Sequence, residues 1–334
     1  TPRDSRTNEG KVSGVYQPRV MKLLYITNGI NGSGGLERVL SIKASALADD
    51  FGHEVHILTL NNQNQNTFFQ FSPSIVLHDI KVGGSPLAYL KSYISGIKNT
   101  IQDIQPDCIS VCDDGLKAFF LPKISGKKIP IIYERHVSKS IEVGSNPGFK
   151  KRIITKMKFF LMNHLAKDFA KFIVLTKDNL NEWPLSNVKV IPNPLSFYPN
   201  ESSSLDQKQV IAVGKQSYQK GYDRLLQSWK LVQEVCPDWQ LKVYGKLEPS
   251  LGLEQQAVNL GIADSVAFLA PEKNIQAKYL ESSIYVFPSR FEGFGMVLIE
   301  AMACGLPCIS FDCPCGPSDI IAQSEDGFLV ENGN

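Results

Sequence analysis

The 334-residue sequence contains no unbroken apolar stretch of the roughly 18 to 20 residues that a helix needs to cross a bilayer. Its first twenty residues, TPRDSRTNEGKVSGVYQPRV, lack the apolar core of a secretory signal. Together these absences lead to the expectation of a soluble, cytoplasmic chain. Residues 1–20 are set aside as a disordered polar leader or expression remnant, with Met21 as the expected natural start. An excess of one charge is also missing: 35 Lys and Arg face 33 Asp and Glu, a net of +2, so no overall field draws the chain to nucleic acid. The seven cysteines are an odd number without an export signal, which favours free thiols over a disulfide framework. Cys304, Cys308, Cys313 and Cys315 cluster, but not in the paired C-x2-C spacing of a thiolate metal site, so structural thiols and no metal are expected.

What is present is an alternation. From Met21 onward, short β-branched runs (KLLYIT, EVHILTL, DCISVC, PIIYERH, FIVLT, VKVIPN) are separated by longer amphipathic stretches such as Leu36 to Asp50. That is the signature of βα units on a parallel sheet. The pattern restarts after a polar segment near residue 200 with QVIAVG, QLKVYG, VAFLA, IYVFPS, PCISFD and GFLV. A chain this long exceeds the usual single-domain size of about 100 to 200 residues. The expectation is therefore an α/β protein of two doubly wound, Rossmann-like parallel-sheet domains, 21–200 and 201–334, with a hinge near 194–207. In such sheets ligands bind beyond the carboxyl ends of the strands, which narrows the search to a few loops.

The first strand runs into NGINGSGGLERVL. Glycines between a strand and a helix let the backbone approach a ligand, and free amides at the helix start favour an anion. A dinucleotide fingerprint fails here, because Gly32 and Gly34 fit but the third position is Glu37, and EVHILTL ends in Asn61 and Asn62 rather than an acidic residue. A simple tight turn remains open. The second half opens with QVIAVGKQSYQKGYDRLLQSW, where Lys215 and Lys220 flank a short loop. Two ammonium groups there suit a diphosphate, although spacing alone leaves a pair of solvated surface lysines equally open.

SRFEGFGMVLIEAMACG carries two carboxylates, Glu292 and Glu300, across a glycine turn. MVLIEAMA is expected to form a helix beginning near Met296, with Glu300 in its second turn. Glu292 then lies on the loop, close to the amides of Phe294, Gly295 and Met296, where it could accept hydrogen bonds from hydroxyls. A glycoside hydrolase also uses two carboxylates, but it has no need of a phosphate cradle.

GKQSYQKG, PSRFEGFGMVLIEAMACGLPCIS and DCPCGPSDII together resemble the donor-binding half of the retaining glycosyltransferases of family 4, which have the GT-B fold. GGLERVL, IIYERH and VIPNPL resemble the first half of the same family, so the similarity spans most of 21–330. The resemblance implies that Glu300 holds the ribose of a nucleotide and that Glu292 contacts the transferred sugar. It further implies that Lys215 and Lys220 hold the diphosphate with the amides of Gly34, Gly35, Gly293, Phe294, Gly295 and Met296, and that His136 lies near the sugar. His136, Glu292, Lys215 and Lys220 are the candidate catalytic residues. Where the family usually has arginine this chain has Lys215, which keeps the charge and loses the bidentate fork.

Breaking the bond from anomeric carbon to phosphate leaves a nucleoside diphosphate, and fixed positive charge and amides aimed at that leaving group are the largest available help. The chain has no D-x-D triplet, so no metal cofactor is expected to bridge the diphosphate. The implied activity is transfer of a hexose or N-acetylhexosamine, with retention, from a nucleotide sugar (UDP-linked) to a saccharide or lipid-linked saccharide acceptor. A sugar-nucleotide epimerase and a catalytically silent sugar-nucleotide binding module stand as alternatives. GT-B proteins commonly end in helices that return to the first domain, and the sequence stops at Asn334 before any such element, so its lack is expected.

GFKKRIITKMKFFLMNHLAK, residues 148–167, carries six basic residues and no acidic one beside a row of large apolar side chains. Such a helix can lie on an anionic membrane surface, giving peripheral attachment at the inner face of the cytoplasmic membrane; an ordinary domain helix with a solvated basic face is the other reading.

Overall fold

The structure, a computed structural model, describes residues 19–62, 66–126, 128–139 and 148–333. All but two residues of the leader expected at 1–20 therefore lie outside the described residues. Thirteen strands form two sheets among the described residues. The first comprises β1 (Lys22–Thr27), β2 (Glu54–Leu60), β3 (Val76–Ile80), β4 (Cys108–Cys112), β5 (Ile131–Glu134), β6 (Lys171–Val174) and β7 (Val188–Val190) in the order 3-2-1-4-5-6-7. The second comprises β8 (Gln209–Val213), β9 (Gln240–Tyr244), β10 (Val266–Leu269), β11 (Ile284–Phe287), β12 (Cys308–Phe311) and β13 (Gly327–Val330) in the order 10-9-8-11-12-13. Every pairing is parallel.

In both sheets the order reverses at the first strand, between β1 and β4 and between β8 and β11. The reversal sends the flanking connections to opposite faces and opens a crevice at the carboxyl ends of those strands. Helices cover both faces, which is why the central strands read as continuous apolar runs rather than as alternation. Leu24, Ile57, Ile109 and Val111 are fully buried in the first sheet, as are Ile211, Leu241 and Tyr285 in the second.

Strand β3, VLHDI, was not expected. It is an edge strand with Val76 and Leu77 exposed, and His78 and Asp79 follow, so it has neither a buried run nor a clean alternation to reveal it. β5 ends at Glu134, which leaves His136 on the loop beyond the strand. The segment between the sheets docks on the second one: Ser203 donates its backbone N–H to the Cys304 carbonyl, and Phe197 packs beside Tyr279.

Candidate functional site

The second sheet supplies most of the site. After β11 the chain turns through Pro288 to Gly295 and enters the helix Met296–Ala303. Gly295 has a φ of +99°, a left-handed conformation that a side chain would strain, and it sets the helix start at Met296. Gly293 lies against the first sheet's unit: a Cβ there would collide with the backbone carbonyl of His136. Gly316, also at positive φ, would collide with the Phe294 carbonyl, so the loop after β12 clasps the same turn.

Glu292 is buried, and its Oε1 accepts from Lys220 Nζ at 2.7 Å and Ser289 Oγ at 2.6 Å. Lys220 ends a short 3-10 turn, Tyr218–Lys220, after β8. Its loop is stapled to the Glu292 loop by Arg290, which forks onto Asp223 at 2.8 and 2.6 Å and donates to the Tyr218 carbonyl at 2.8 Å. Hydrogen bonding to Arg290 holds the Asp223 carboxyl below its ordinary value. Lys215 starts the same loop but is exposed and takes no part in the Lys220–Glu292 pair. The structure thus joins Lys220 to Glu292 and leaves Lys215 in solvent.

Glu300 is fully buried. Its Oε1 accepts from Ser196 Oγ at 2.7 Å and pairs with Arg38 Nη1 at 3.0 Å, while its Oε2 accepts from Tyr279 Oη at 3.3 Å. Burial pushes the Glu300 carboxyl up, against the opposing pull of Arg38 and the two hydroxyls. Arg38 belongs to the helix Gly35–Asp49 of the first sheet's unit, so this ion pair spans the two units. Its guanidinium lies 5.5 Å from the Phe69 ring centroid and 5.7 Å from that of Phe197.

Gly34 and Gly35 are exposed at the start of that helix. The nearest neighbour of a Cβ placed on Gly35 would be Met296 Cγ, 4.0 Å away, so the first glycine loop faces the start of the helix that carries Glu300. A Cβ on Gly34 would lie 2.7 Å from Glu37 Oε2, so the Glu37 carboxylate folds back over the helix start, where an anion is favoured.

His136 is largely buried, its Nε2 3.3 Å from Glu134 Oε2. Glu134 also receives Lys43 and Ser110. Burial alone would raise the Glu134 carboxyl, but Lys43 and His136 hold it well below the usual carboxylate range. Candidate ligand atoms of Cys112, Glu134 and His136 lie within 4.8 Å of one another. A cation there would have to displace the Lys43 ammonium and ionise a thiol that burial and the Glu134 charge push far up, so this donor set suits its present ion pair better than a metal.

A cavity of about 540 Å³ opens at the carboxyl edge of the first sheet, lined among others by Asn28, Asn31, Glu37, Asn62, Asp113 and Lys117. A second, of about 610 Å³, lies between the units beside Leu175, Tyr198, Phe294 and Met302. Neither is lined by Lys220, Glu292 or Glu300, whose polar atoms are turned onto one another and onto Arg38. Sequence reasoning did not find Arg38, Ser196, Ser289 or Arg290. Arg38 had a signal in its place in GGLERVL, and Ser289 and Arg290 in theirs in the SRFEGFG turn; Ser196 had none.

Residues 198–334 match the family model described as glycosyl transferases group 1. Over 324 residues the chain is 32% identical to the amylovoran biosynthesis glycosyltransferase AmsD of Erwinia amylovora, covering 93% of this chain and 86% of that protein. It is 25% identical over 331 residues to the lipopolysaccharide 1,6-galactosyltransferase of Escherichia coli K12, covering 94% and 86%. Among solved structures, Anabaena HepE in complex with UDP and glucose superposes with a TM-score of 0.71 at 20% identity, covering 94% of this chain and 86% of that one. With two Rossmann-like parallel sheets meeting at these loops, the fold is GT-B, and the chain belongs to the group 1 glycosyltransferases.

Proposed function

We propose that this glycosyltransferase moves a hexose or N-acetylhexosamine, with retention and without a metal, from a UDP-linked donor to a saccharide or lipid-linked saccharide in polysaccharide or glycolipid biosynthesis. The observation that carries this is the pairing of Lys220 with Glu292 at 2.7 Å, beside the start of the helix Met296–Ala303. In the ligand-bound state a diphosphate takes the Lys220 ammonium, aided by Lys215 and the amides of Gly293 to Met296. Glu292 is then released to accept from hydroxyls of the sugar. Charge developing on the leaving diphosphate meets fixed positive groups, the electrostatic help such a reaction requires. Glu300 holds the ribose, the amides of Gly34 and Gly35 close over the phosphates, and His136 borders the sugar across the Gly293 contact.

UDP is favoured because the HepE structure holds UDP and glucose, and a polysaccharide or lipid-linked acceptor because AmsD and the 1,6-galactosyltransferase are named for amylovoran and lipopolysaccharide. The polar cavity between Asn28 and Lys117 suits a polyhydroxyl acceptor. A hydrolase is not favoured: it needs an acid and a carboxylate facing one bond, whereas Glu292 faces Lys220 and Glu300 faces Arg38.

No helix among the described residues is long and apolar enough to cross a membrane. Attachment would instead be peripheral, at the inner face of the cytoplasmic membrane, through the helix Phe149–Leu165. Thermal-shift screening with UDP, GDP, ADP and their sugars, followed by product analysis in the presence of EDTA, tests the whole reading. Stabilisation by UDP compounds, free UDP and a glycoside of unchanged anomeric configuration are expected; no response to any nucleotide would overturn it.

A further inference from the structure

We infer that Arg38 is an interdomain latch that competes with the nucleotide ribose for Glu300, so that nucleotide can enter only when the first sheet's unit withdraws its guanidinium. This rests on the reading of Glu300 as the ribose-holding carboxylate. A carboxylate that grips a diol must offer acceptor positions toward the ligand. On Glu300 three of about four such positions are taken: Arg38 and Ser196 share Oε1, Tyr279 holds one on Oε2, and the residue is fully buried. Of the three donors, Tyr279 stands on the second sheet's own helix Ile275–Leu280 and Ser196 lies in the connector, which itself docks on the second sheet. Arg38 alone comes from the opposing unit, on the helix whose first residue faces Met296.

The latch is built to hold. A buried carboxylate without a partner is strongly unfavourable, so Glu300 keeps Arg38 while no other donor replaces it. The guanidinium also lies 5.5 and 5.7 Å from two aromatic ring centroids, those of Phe69 of the first unit and Phe197 of the connector, which favours a cation at that place. Ribose hydroxyls can replace the donors that Arg38 supplies without replacing its charge. Withdrawal of the helix Gly35–Asp49 would at the same stroke separate the Gly34–Gly35 loop from Met296. After transfer, return of Arg38 to Glu300 would favour expulsion of the nucleoside diphosphate. Arg38 is on this account a positioning residue that acts through Glu300.

The test is calorimetric titration of UDP into the wild type and the variants Arg38→Gln, Arg38→Lys, Glu300→Gln and Arg38→Gln/Glu300→Gln, with kcat and KM for the donor measured alongside. Arg38→Gln is expected to bind UDP at least threefold more tightly and to lower donor KM together with kcat, because product leaves more slowly. Arg38→Lys should restore affinity toward the wild type, a rescue that a packing role would not produce, and the double variant should bind as weakly as Glu300→Gln. If Glu300→Gln weakens UDP binding while Arg38→Gln leaves it unchanged or weaker, the latch is overturned and the ribose assignment stands. If Glu300→Gln leaves UDP affinity unchanged, the ribose assignment itself falls. Should Arg38→Gln fail to fold, Phe69→Leu, which removes the first unit's ring beside the guanidinium, must tighten UDP binding in the same direction, or the latch fails.

Discussion

Arg38 Nη1 and Ser196 Oγ converge on one oxygen of Glu300, at 3.0 and 2.7 Å, so the carboxylate expected to receive a nucleotide is held by the opposing unit and the connector. Glu292 is engaged in the same manner, by Lys220 and Ser289, but entirely within the second sheet's unit. The two glutamates of the E-x7-E pattern therefore belong to different networks, and their removal should have different consequences.

Glu300→Gln keeps the shape and removes the charge. It is expected to weaken UDP binding by about tenfold, equivalent to about 1.4 kcal/mol. Glu292→Gln should leave UDP binding within about twofold and lower kcat by roughly 10² to 10³, the usual cost of one electrostatic contact made in the transition state. Calorimetry and steady-state kinetics on both variants decide between this assignment and its reverse.

How much of this could be seen in the sequence depends on the distance over which each feature is determined. The runs KLLYIT, EVHILTL and QVIAVG announce strands because helices bury both faces, and each became a strand at nearly the expected limits. The helix at Met296 was also legible, since Gly295 fixes its start locally. Strand β3 was not, because an edge strand with exposed Val76 and Leu77 leaves no periodic mark. The Arg38–Glu300 pair was invisible for a different reason: it is formed only when two separately folded sheets meet, and no local pattern encodes which arginine will reach a buried carboxylate. Lys215 and Lys220 look equivalent in GKQSYQKG, yet the 3-10 turn and Gly221 turn only Lys220 toward Glu292.

The pair Lys43–Glu134 should make stability depend on pH in the acid range. The Glu134 carboxyl is depressed in the folded state despite its burial, so its stabilising contribution is present above the ordinary carboxylate value and is lost as pH falls through the folded one. Lys43 is raised, chiefly by Glu134 acting against burial, so its contribution is intact below the ordinary lysine value and fades only in strong alkali. Lys43→Met strands a buried carboxylate and should cost about 3 to 5 kcal/mol at neutral pH. Urea unfolding at pH 7 and pH 4 checks the acid side: the variant's deficit should shrink at the lower pH, where the Glu134 carboxyl that has lost Lys43 takes a proton.

The seven thiols are all free, and Cys304, Cys308, Cys313 and Cys315 are buried. Burial pushes Cys304 up to about 11 and Cys308, Cys313 and Cys315 up to about 12, so none of the four is a thiolate at neutral pH. Titration with a chromogenic disulfide at pH 8 should label Cys236 and Cys108, which are partly accessible, well before the other five. Rapid labelling of the four clustered thiols in the folded protein would restore a redox or metal-binding role.

The helix Phe149–Leu165 gives the clearest surface prediction. Phe149 and Phe160 are each 78% exposed and Met157 is 68% exposed, and with Ile153 they follow helical spacing along one stripe. Lys150, Lys151, Arg152 and Lys156 are exposed on the same helix, and no acidic residue lies between 149 and 165. Exposed large apolar side chains in water gain nothing from a solvated basic face, whereas at an anionic lipid surface both features are used. Each basic residue near such a surface contributes about 1 kcal/mol, and the attraction weakens with salt. Vesicles containing phosphatidylglycerol should sediment the wild type at low salt, and vesicles of phosphatidylcholine alone should not. Phe149→Ser/Phe160→Ser should reduce binding in a way that salt does not explain, since it removes apolar contact, while Lys150→Gln/Lys151→Gln should reduce mainly the salt-sensitive part. Failure to bind anionic vesicles at low salt would leave this helix an ordinary exposed face.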